Sequence, residues 1–179
     1  MIIAYYHIPT YLQPDYCLPT VNWINELENS GYRVIDIETP INQNKMYEET
    51  LKIWGLDDLV IVGQDNVGTI PMLEHFESCE HLFCANPCLM NKKSLGFGGD
   101  SLNMISDGVL HGIDDRREFA TGYCGTGLCR IRKELQLNMN IVDNSFHHQN
   151  LDSKFSELAR PMCNSKYHLH YPLHEHNKK

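Results

Sequence analysis

The sequence lacks the features that would place the protein in a membrane or outside the cell. No apolar run approaches the roughly twenty residues that span a bilayer. Residues 1–6 have neither the basic start nor the apolar length of a signal peptide. The seven cysteines contain no Cys-x-x-Cys pair, which argues against a disulfide scaffold. We therefore expect a cytoplasmic protein, in the host cytoplasm if the source is a virus, with buried thiols.

Glycine-rich phosphate loops are also missing. The pattern predicts strands over residues 1–6 and 33–38, joined by a helix that begins at Pro19. This strand–helix–strand unit is half of a nucleotide-binding fold in outline. It contains neither Gly-x-Gly-x-x-Gly nor the Walker lysine loop. A nucleotide bound here would therefore need a metal ion to neutralise its phosphates.

Positive charge is scarce as well, with 15 Lys and Arg against 23 Asp and Glu and a net charge of −8. Binding along a phosphate backbone needs a basic surface, so nucleic acid is disfavoured as an acceptor, although a local basic patch would escape this argument. The 179 residues, 42% of them hydrophobic, fit one domain over residues 1–179. Within this domain, the irregular pattern of residues 86–122 predicts an insertion or a mobile loop over a site.

The chain is organised around the uninterrupted apolar residues 59–62, which are followed by Gly63, Gln64 and Asp65. Such a run is typical of a strand buried on both faces of a mainly parallel sheet. The predicted fold is therefore α/β, with a Rossmann-like sheet flanked by helices. Ligands of such sheets bind beyond the carboxyl ends of the strands, which makes Asp65 the first candidate for chemistry. The alternative is that Asp65 only caps its turn or the following helix.

Histidines are dense near the end of the sequence, with six of the ten after residue 146. Because alternate residues of a strand share a face, pairs of histidines spaced two apart point the same way. The pattern contains His168, His170, His174 and His176. Together with Asp65 they form a ligand set that suits Mn²⁺, Mg²⁺ or Zn²⁺. The alternative is an unstructured tail.

Asp152 lies in the first turn of a helix predicted over residues 151–159. Acids are favoured at that position by the helix dipole, so the residue has a structural explanation. The functional alternative is a general base directed into a cleft, which would have to reach the proton it removes.

In their order and spacing these features resemble the GT-A fold glycosyltransferases, in particular the small viral and bacterial members of the family-2-like group. The resemblance covers most of the chain apart from residues 86–120. It implies transfer of a sugar from a nucleoside-diphosphate sugar, of the UDP or GDP type, to an acceptor hydroxyl. In that family the loop after the first strand holds the nucleotide, and an acid ending the second strand contacts the base. The corresponding residues here are Tyr6, His7, Pro9, Thr10, Asp36 and Glu38.

The family's Asp-x-Asp metal motif is similar to Gln64 and Asp65, which supply a single acid. A histidine after the last strand often completes the metal site, which points to His174 or His176. The resemblance therefore implies Mn²⁺ or Mg²⁺ as cofactor, bound between these residues and the diphosphate.

The family's glycine turn and arginine-bearing helix are similar to residues 125–135. This match implies that Arg130 or Arg132 pairs with phosphate, and a surface charge on the helix is the alternative. The final acid of the family's x-Glu-Asp helix motif is the base in inverting members and corresponds to Asp152, although the first acid of the motif is missing here. We therefore expect inversion at the anomeric carbon of the sugar. Retention is the alternative if Asp152 has only a structural role.

Two other functions stay open. One is a non-catalytic zinc- or nucleotide-binding module, in which Cys84, Cys88 and histidines would be structural. The other is a nucleotidyltransferase of related fold, although such enzymes usually have a basic glycine-rich loop after the first strand and residues 7–11 contain neither glycine nor lysine. The donor sugar and the acceptor are not identified, since viral relatives modify glycans, proteins or DNA bases.

Overall fold

The computed structural model describes residues 1–38, 43–86 and 127–139, together with short pieces at 89–91, 94–95, 105–106, 109–110, 118–120, 155, 158–159, 161–163, 166–169 and 175–176. The helices with defined bounds are α1 Leu18–Asn29, α2 Gln43–Ile53, α3 Ile70–Ser78 and α4 Lys133–Asn138. The strands are β1 Ile2–His7, β2 Arg33–Glu38, β3 Leu59–Gly63, β4 Asn66–Val67, β5 Phe83–Ala85, β6 Leu89–Asn91, β7 Ser94–Leu95, β8 Ile105–Ser106, β9 Val109–Leu110, β10 Glu118–Ala120, β11 Leu128–Ile131, β12 Lys166–Leu169 and β13 Glu175–His176.

A seven-stranded sheet forms the centre of the fold, in the order β10-β12-β5-β11-β3-β1-β2. Five of the seven strands run in one direction, and only β10 and β11 are antiparallel to their neighbours. The predicted α/β fold with a mainly parallel sheet and flanking helices is therefore confirmed.

The first three strands of the chain align their carboxyl ends. In the register, His7 at the end of β1 pairs with Glu38 at the end of β2, and Tyr6 pairs with Gly63 at the end of β3. Both strand pairs, β1–β2 and β1–β3, are parallel because the connections cross over through α1 and α2. The loops that follow these strands therefore start at the same edge of the sheet.

Two cores cover the two faces of the sheet, because successive strand residues point to opposite sides. Ile3, Tyr5, Val60 and Val62 pack with buried side chains of α1 and α3. The other face buries Ile2, Ala4, Tyr6, Leu59, Ile61, Cys129 and Ile131 together with Ile53, Leu135, Phe155 and Ala159. The expectation of buried thiols is confirmed for Cys17, Cys79, Cys84 and Cys129.

The first helix forms where the apolar spacing predicts it. Pro19 occupies its first turn, where a missing N–H costs nothing, and Trp23, Ile24 and Leu27 are buried on one side. The chain leaves the helix through Gly31, whose φ of +86° is readily adopted only by glycine. The turn returns the chain to β2 at Arg33.

Two sequence predictions need correction. Residues 128–131 form the buried strand β11 between β3 and β5, so the predicted passage from a turn into a helix is wrong there, and α4 begins only at Lys133. Within the predicted insertion 86–122, residues 118–120 join the central sheet as β10. Two short hairpins, β6-β7 and β8-β9, form in the same region.

Other predictions agree as far as the structure describes them. Residues 155, 158–159 and 161–162 are helical, in line with the helix predicted over 151–159. Strand β12, Lys166–Leu169, overlaps the alternating segment 167–171 that predicts a strand. Among the described residues, no helix combines the length and apolar character that crossing a bilayer requires.

Candidate functional site

The turn after β3 is tied to the loop after β1. The side-chain oxygen Oε1 of Gln64 accepts a hydrogen bond from the backbone N–H of Ile8 at 3.0 Å. Pro9 is buried, and Thr10 begins a short 3-10 turn that ends at Leu12. The two loops therefore form one continuous wall at the carboxyl edge of the sheet, which is where open α/β sheets bind their ligands.

His7 occupies the middle of this edge and is only 7% exposed. Its ring stacks on Tyr5 with centroids 4.7 Å apart. Nδ1 lies 2.7 Å from the carbonyl oxygen of Ile8 and 3.0 Å from Nε2 of Gln13, and Nε2 lies 3.9 Å from a carboxylate oxygen of Asp36. The imidazole is thus held between the β1 loop and the end of β2.

Acidic groups surround Tyr5. The pKa of its phenol is raised to about 12, chiefly by burial, with smaller contributions from the nearby Cys17, Asp36 and Asp65 that outweigh the lowering effect of Gln13. The pKa of the Cys17 thiol is also raised, first by burial and then by Asp65. These couplings place Asp36 and Asp65 close to the same buried ring, so the local field favours cations over anions.

Asp65 is held by its neighbour in the chain. The carboxylate is 9% exposed, and its Oδ1 accepts a hydrogen bond of 3.0 Å from the side-chain amide Nδ2 of Asn66. The turn is closed from the other side by β11, because the N–H of Gly63 donates to the carbonyl oxygen of Gly127 at 2.9 Å. The position of Asp65 is therefore set by packing as well as by the turn.

The end of the described chain returns to this turn. Strand β13 pairs antiparallel with β4, with Glu175 opposite Val67 and His176 opposite Asn66. The backbone thus brings His176 beside the residue that follows Asp65. Its role as a metal ligand stays a prediction, and His174 lies outside the described residues.

Comparison with solved structures finds chains of similar architecture, among them two transferases. One is a Bacillus anthracis protein assigned as a glucose-1-phosphate thymidylyltransferase and solved with sucrose, with a TM-score of 0.50, 11% identity, and coverage of 97% of this chain and 86% of the other. The second is a glycosyltransferase involved in glycosylation of the major capsid of PBCV-1, with a TM-score of 0.50, 12% identity, and coverage of 96% and 81%. The chain shares the fold of these transferases. No family profile matches the sequence, and no curated protein matches it.

Most of the predicted nucleotide-site residues converge at one edge of this sheet. His7, Pro9, Gln64 and Asp65 meet at the carboxyl edge, with Asp36 beside His7. Glu38 ends the neighbouring strand with an exposed side chain, and Thr10 follows in the β1 loop. Asp152 lies outside the described residues.

Two predicted residues do not join them. The hydroxyl of Tyr6 is hydrogen-bonded to Oγ1 of Thr50 at 2.7 Å in the core on the opposite face of the sheet. Arg130 is 1% exposed, and its guanidinium donates to a carboxylate oxygen of Asp58 at 3.5 Å and to the carbonyl oxygen of His81. Asp58 precedes β3, so the guanidinium is engaged toward the amino edge, away from Asp65.

The donor chemistry at Asp65 suits a hard divalent ion, since carboxylate oxygen is the ligand that Mg²⁺ and Mn²⁺ prefer. Within the described part of the chain, however, no group of three or more His, Cys, Asp or Glu side chains could hold a metal. Asp65 is thus one possible ligand, and a complete set would require the histidines predicted after β12 or oxygen atoms of the substrate.

Three contributors were missed by sequence reasoning. Gln13 contacts His7, Cys17 approaches Tyr5 and Asp65, and Asn66 holds the Asp65 carboxylate. Gln13 and Cys17 carry no recognisable local signal. Asn66 directly follows Asp65, the only acid of the turn. A side-chain amide next to a single carboxylate was the sequence signal that could have identified its role.

Proposed function

We propose that this protein is a metal-dependent glycosyltransferase that moves a sugar from a nucleoside-diphosphate sugar to an acceptor hydroxyl. The observation that carries the proposal is the cluster at the carboxyl edge, where Gln64 joins the loops after β1 and β3, Asp65 is near Tyr5, and His7 stacks on the Tyr5 ring. The fold shared with two transferases supports it. The carboxylates of Asp36 and Glu38 are exposed next to this cluster and can accept hydrogen bonds from a nucleoside.

The charge of the edge argues for a metal-assisted reaction. Residues 8–17 contain no lysine or arginine, while Asp36 and Asp65 bring negative charge to the site. A diphosphate would be repelled there unless a divalent cation accompanied it. When bound, Mn²⁺ or Mg²⁺ would act as a Lewis acid on the leaving diphosphate. Asp65 would be a ligand, and His174 and His176 are the proposed further ligands.

Asp152 is the proposed general base for the acceptor hydroxyl, which would give inversion at the sugar. The donor sugar, the base of the nucleotide and the acceptor stay open. Arg130 is left out of the proposed site because its guanidinium is already engaged with Asp58 and His81.

Nucleotidyl transfer is the second candidate, since one of the two structural neighbours is assigned as a thymidylyltransferase. A triphosphate substrate carries more charge than a diphosphate sugar, and the loop after β1 offers no cationic side chain to bind it. Products separate the two reactions. A glycosyltransferase releases a nucleoside diphosphate, whereas a nucleotidyltransferase releases pyrophosphate from a nucleoside triphosphate and a sugar phosphate.

A zinc-stabilised module is less favoured by the described cysteines. Zinc binds the thiolate, and the thiol of Cys84 is fully buried with a pKa raised well above its usual value, chiefly by burial. Elemental analysis checks this alternative: stoichiometric zinc that survives dialysis would favour it, and an exchangeable divalent ion would not.

The first experiment is a thermal-shift panel of UDP and GDP, each with Mn²⁺, Mg²⁺ or EDTA. A ligand at about 100 times its Kd stabilises the folded state by about 2.7 kcal/mol, which is well above detection. We expect stabilisation by one nucleotide only when the metal is present. Asp65→Ala should abolish it, whereas Asp15→Ala, which removes an exposed acid from the β1 loop, should keep it. If no nucleoside diphosphate shifts the melting temperature under any condition, the proposal is wrong.

The second experiment separates binding from chemistry. Asp152→Asn should keep nucleotide binding and lose sugar transfer or hydrolysis of the donor, measured by release of the nucleoside diphosphate from a panel of nucleotide sugars with Mn²⁺. Full transfer by this variant would contradict the assignment of Asp152 as base while leaving the glycosyltransferase proposal in place.

A further inference from the structure

Asn66 is a buried amide, 4% exposed, at the carboxyl edge of the central strand. A buried side-chain amide is costly unless its polar atoms are paired. Here Nδ2 donates to Oδ1 of Asp65 at 3.0 Å. The side chain therefore points at the carboxylate proposed for chemistry and not into solvent.

Two glycines make the space for this amide. A Cβ added to Gly63 would collide with Nδ2 of Asn66, and a Cβ added to Gly127 would lie 2.9 Å from its Oδ1. The same two glycines are joined by the hydrogen bond from Gly63 N–H to the carbonyl oxygen of Gly127. Asn66 thus sits in a slot with a glycine on each side.

The backbone does not explain these glycines. Positive φ values occur at Gly31 and Gly55, but neither Gly63 nor Gly127 has one, so an alanine could adopt the same backbone conformation. What the glycines supply is room for the Asn66 amide. This accounts for the glycine at position 127.

We propose that Asn66 is the positioning residue for Asp65 and that Gly63 and Gly127 are required because they hold its amide against the carboxylate. The inference rests on the proposed function for its consequence, the orientation of Asp65 toward the metal and diphosphate. Residues that hydrogen-bond a metal-binding carboxylate typically change affinity roughly 10- to 100-fold when they are removed. Strand β13 pairs with the backbone of Asn66, so the last described strand also lies beside this slot.

The test compares three single substitutions in full-length protein. Asn66→Ala removes the amide, and Gly127→Ala displaces it without changing its chemistry. Gly68→Ala is the matched control, because its Cβ would lie 2.7 Å from the Trp23 ring and 3.0 Å from Leu128, which disturbs packing near the turn without touching the amide. Urea unfolding measures the stability of each variant, and calorimetric titration measures the Kd of the nucleoside diphosphate with Mn²⁺.

We expect Asn66→Ala and Gly127→Ala each to raise the Kd by roughly 10-fold or more, and Gly68→Ala to leave it within about twofold even where stability falls. Unchanged Kd values in both test variants would overturn the inference. A Kd that follows stability equally in all three variants would also overturn it, since the role would then be structural only.

A measurement without ligand keeps the inference separate from the proposed function. In the ¹H–¹⁵N spectrum, the side-chain amide protons of Asn66 should show nuclear Overhauser contacts to the α protons of Gly63 and Gly127. Their exchange with solvent should be slow and should accelerate in Asp65→Ala. If the wild-type protein binds no nucleoside diphosphate, the proposed function fails while these signals still support the slot. Absence of the contacts, or exchange that Asp65→Ala does not change, refutes the slot itself.

Discussion

Gln136 in α4 is the position where exchanging one side chain should most clearly lower the stability of the fold. It is 1% exposed. Its Nε2 donates to the carbonyl oxygens of Asp57 at 2.9 Å and Ile131 at 2.8 Å, and its Oε1 accepts from the N–H of Gly55 at 2.7 Å. One amide therefore joins α4 to the end of β11 and to the connection between α2 and β3.

Gln136→Leu replaces the amide with an apolar side chain of similar size and removes all three hydrogen bonds. At about 1 kcal/mol net for each bond, the variant should lose about 3 kcal/mol, and the partners left unpaired in the core add to that cost. A domain has about 5–15 kcal/mol in total, so the loss is a large fraction. For a chain of this size the melting temperature should fall by about 6–12 °C.

Urea unfolding followed by circular dichroism measures this loss. Asn138→Leu is the control on the same helix, because the exposed Asn138 amide donates to the carbonyl oxygen of Glu134 one turn earlier in α4. That substitution should change stability by no more than about 0.5 kcal/mol. If Gln136→Leu unfolds within about 1 kcal/mol of the wild type, the three bonds contribute little net free energy and the reasoning from burial is refuted.

Two further predictions concern buried side chains of the central sheet. The folded-state pKa of Tyr5, about 12, lies above its ordinary value of 10.0, so the stability that this group contributes is full below pH 10 and is lost as pH rises toward 12. Tyr5→Phe should flatten the fall in unfolding free energy over that range, whereas Tyr11→Phe, at an 85% exposed position, should not. Arg130→Met should lower stability by about 1–3 kcal/mol, because the His81 carbonyl loses its donor, and should leave nucleotide affinity unchanged in calorimetric titration. If the Arg130→Met variant is stable but binds the nucleotide more weakly, Arg130 contributes to nucleotide binding.

The sequence was sufficient where the signal is local. Strand β3 follows from four consecutive apolar residues, and α1 follows from the spacing of Ile24 and Leu27 with Gly31 after it. The position of Asp65 just after the carboxyl end of β3 follows from the same pattern. These elements need no knowledge of distant partners.

Strand β11 could not be predicted in this way. Its Leu-Cys-Arg-Ile sequence includes an arginine, and the helix-forming residues after it extend the helical pattern backwards. The arginine is tolerated in the core because Asp58 and His81, 72 and 49 residues away, supply its partners. Such long-range pairing overrides local propensity.

Asn66 was missed for the same reason, since its fit depends on a glycine far along the chain. The prediction that the terminal histidines return to Asp65 was made from ligand chemistry. The pairing of His176 with Asn66 agrees with it at the level of the backbone. Metal binding by these histidines stays a prediction.

The pairing of β13 with β4 also constrains the order of events during synthesis. The two strands are about 110 residues apart, whereas β1, β2 and β3 all lie within the first 63. Contacts between distant segments form slowly because a long loop must close first. On a translating ribosome, the parallel sheet around β1 can assemble early and bury its apolar faces. The turn at Asp65 then waits for the last described strand, so a nascent chain should form the part of the sheet around β1 well before it acquires a finished site.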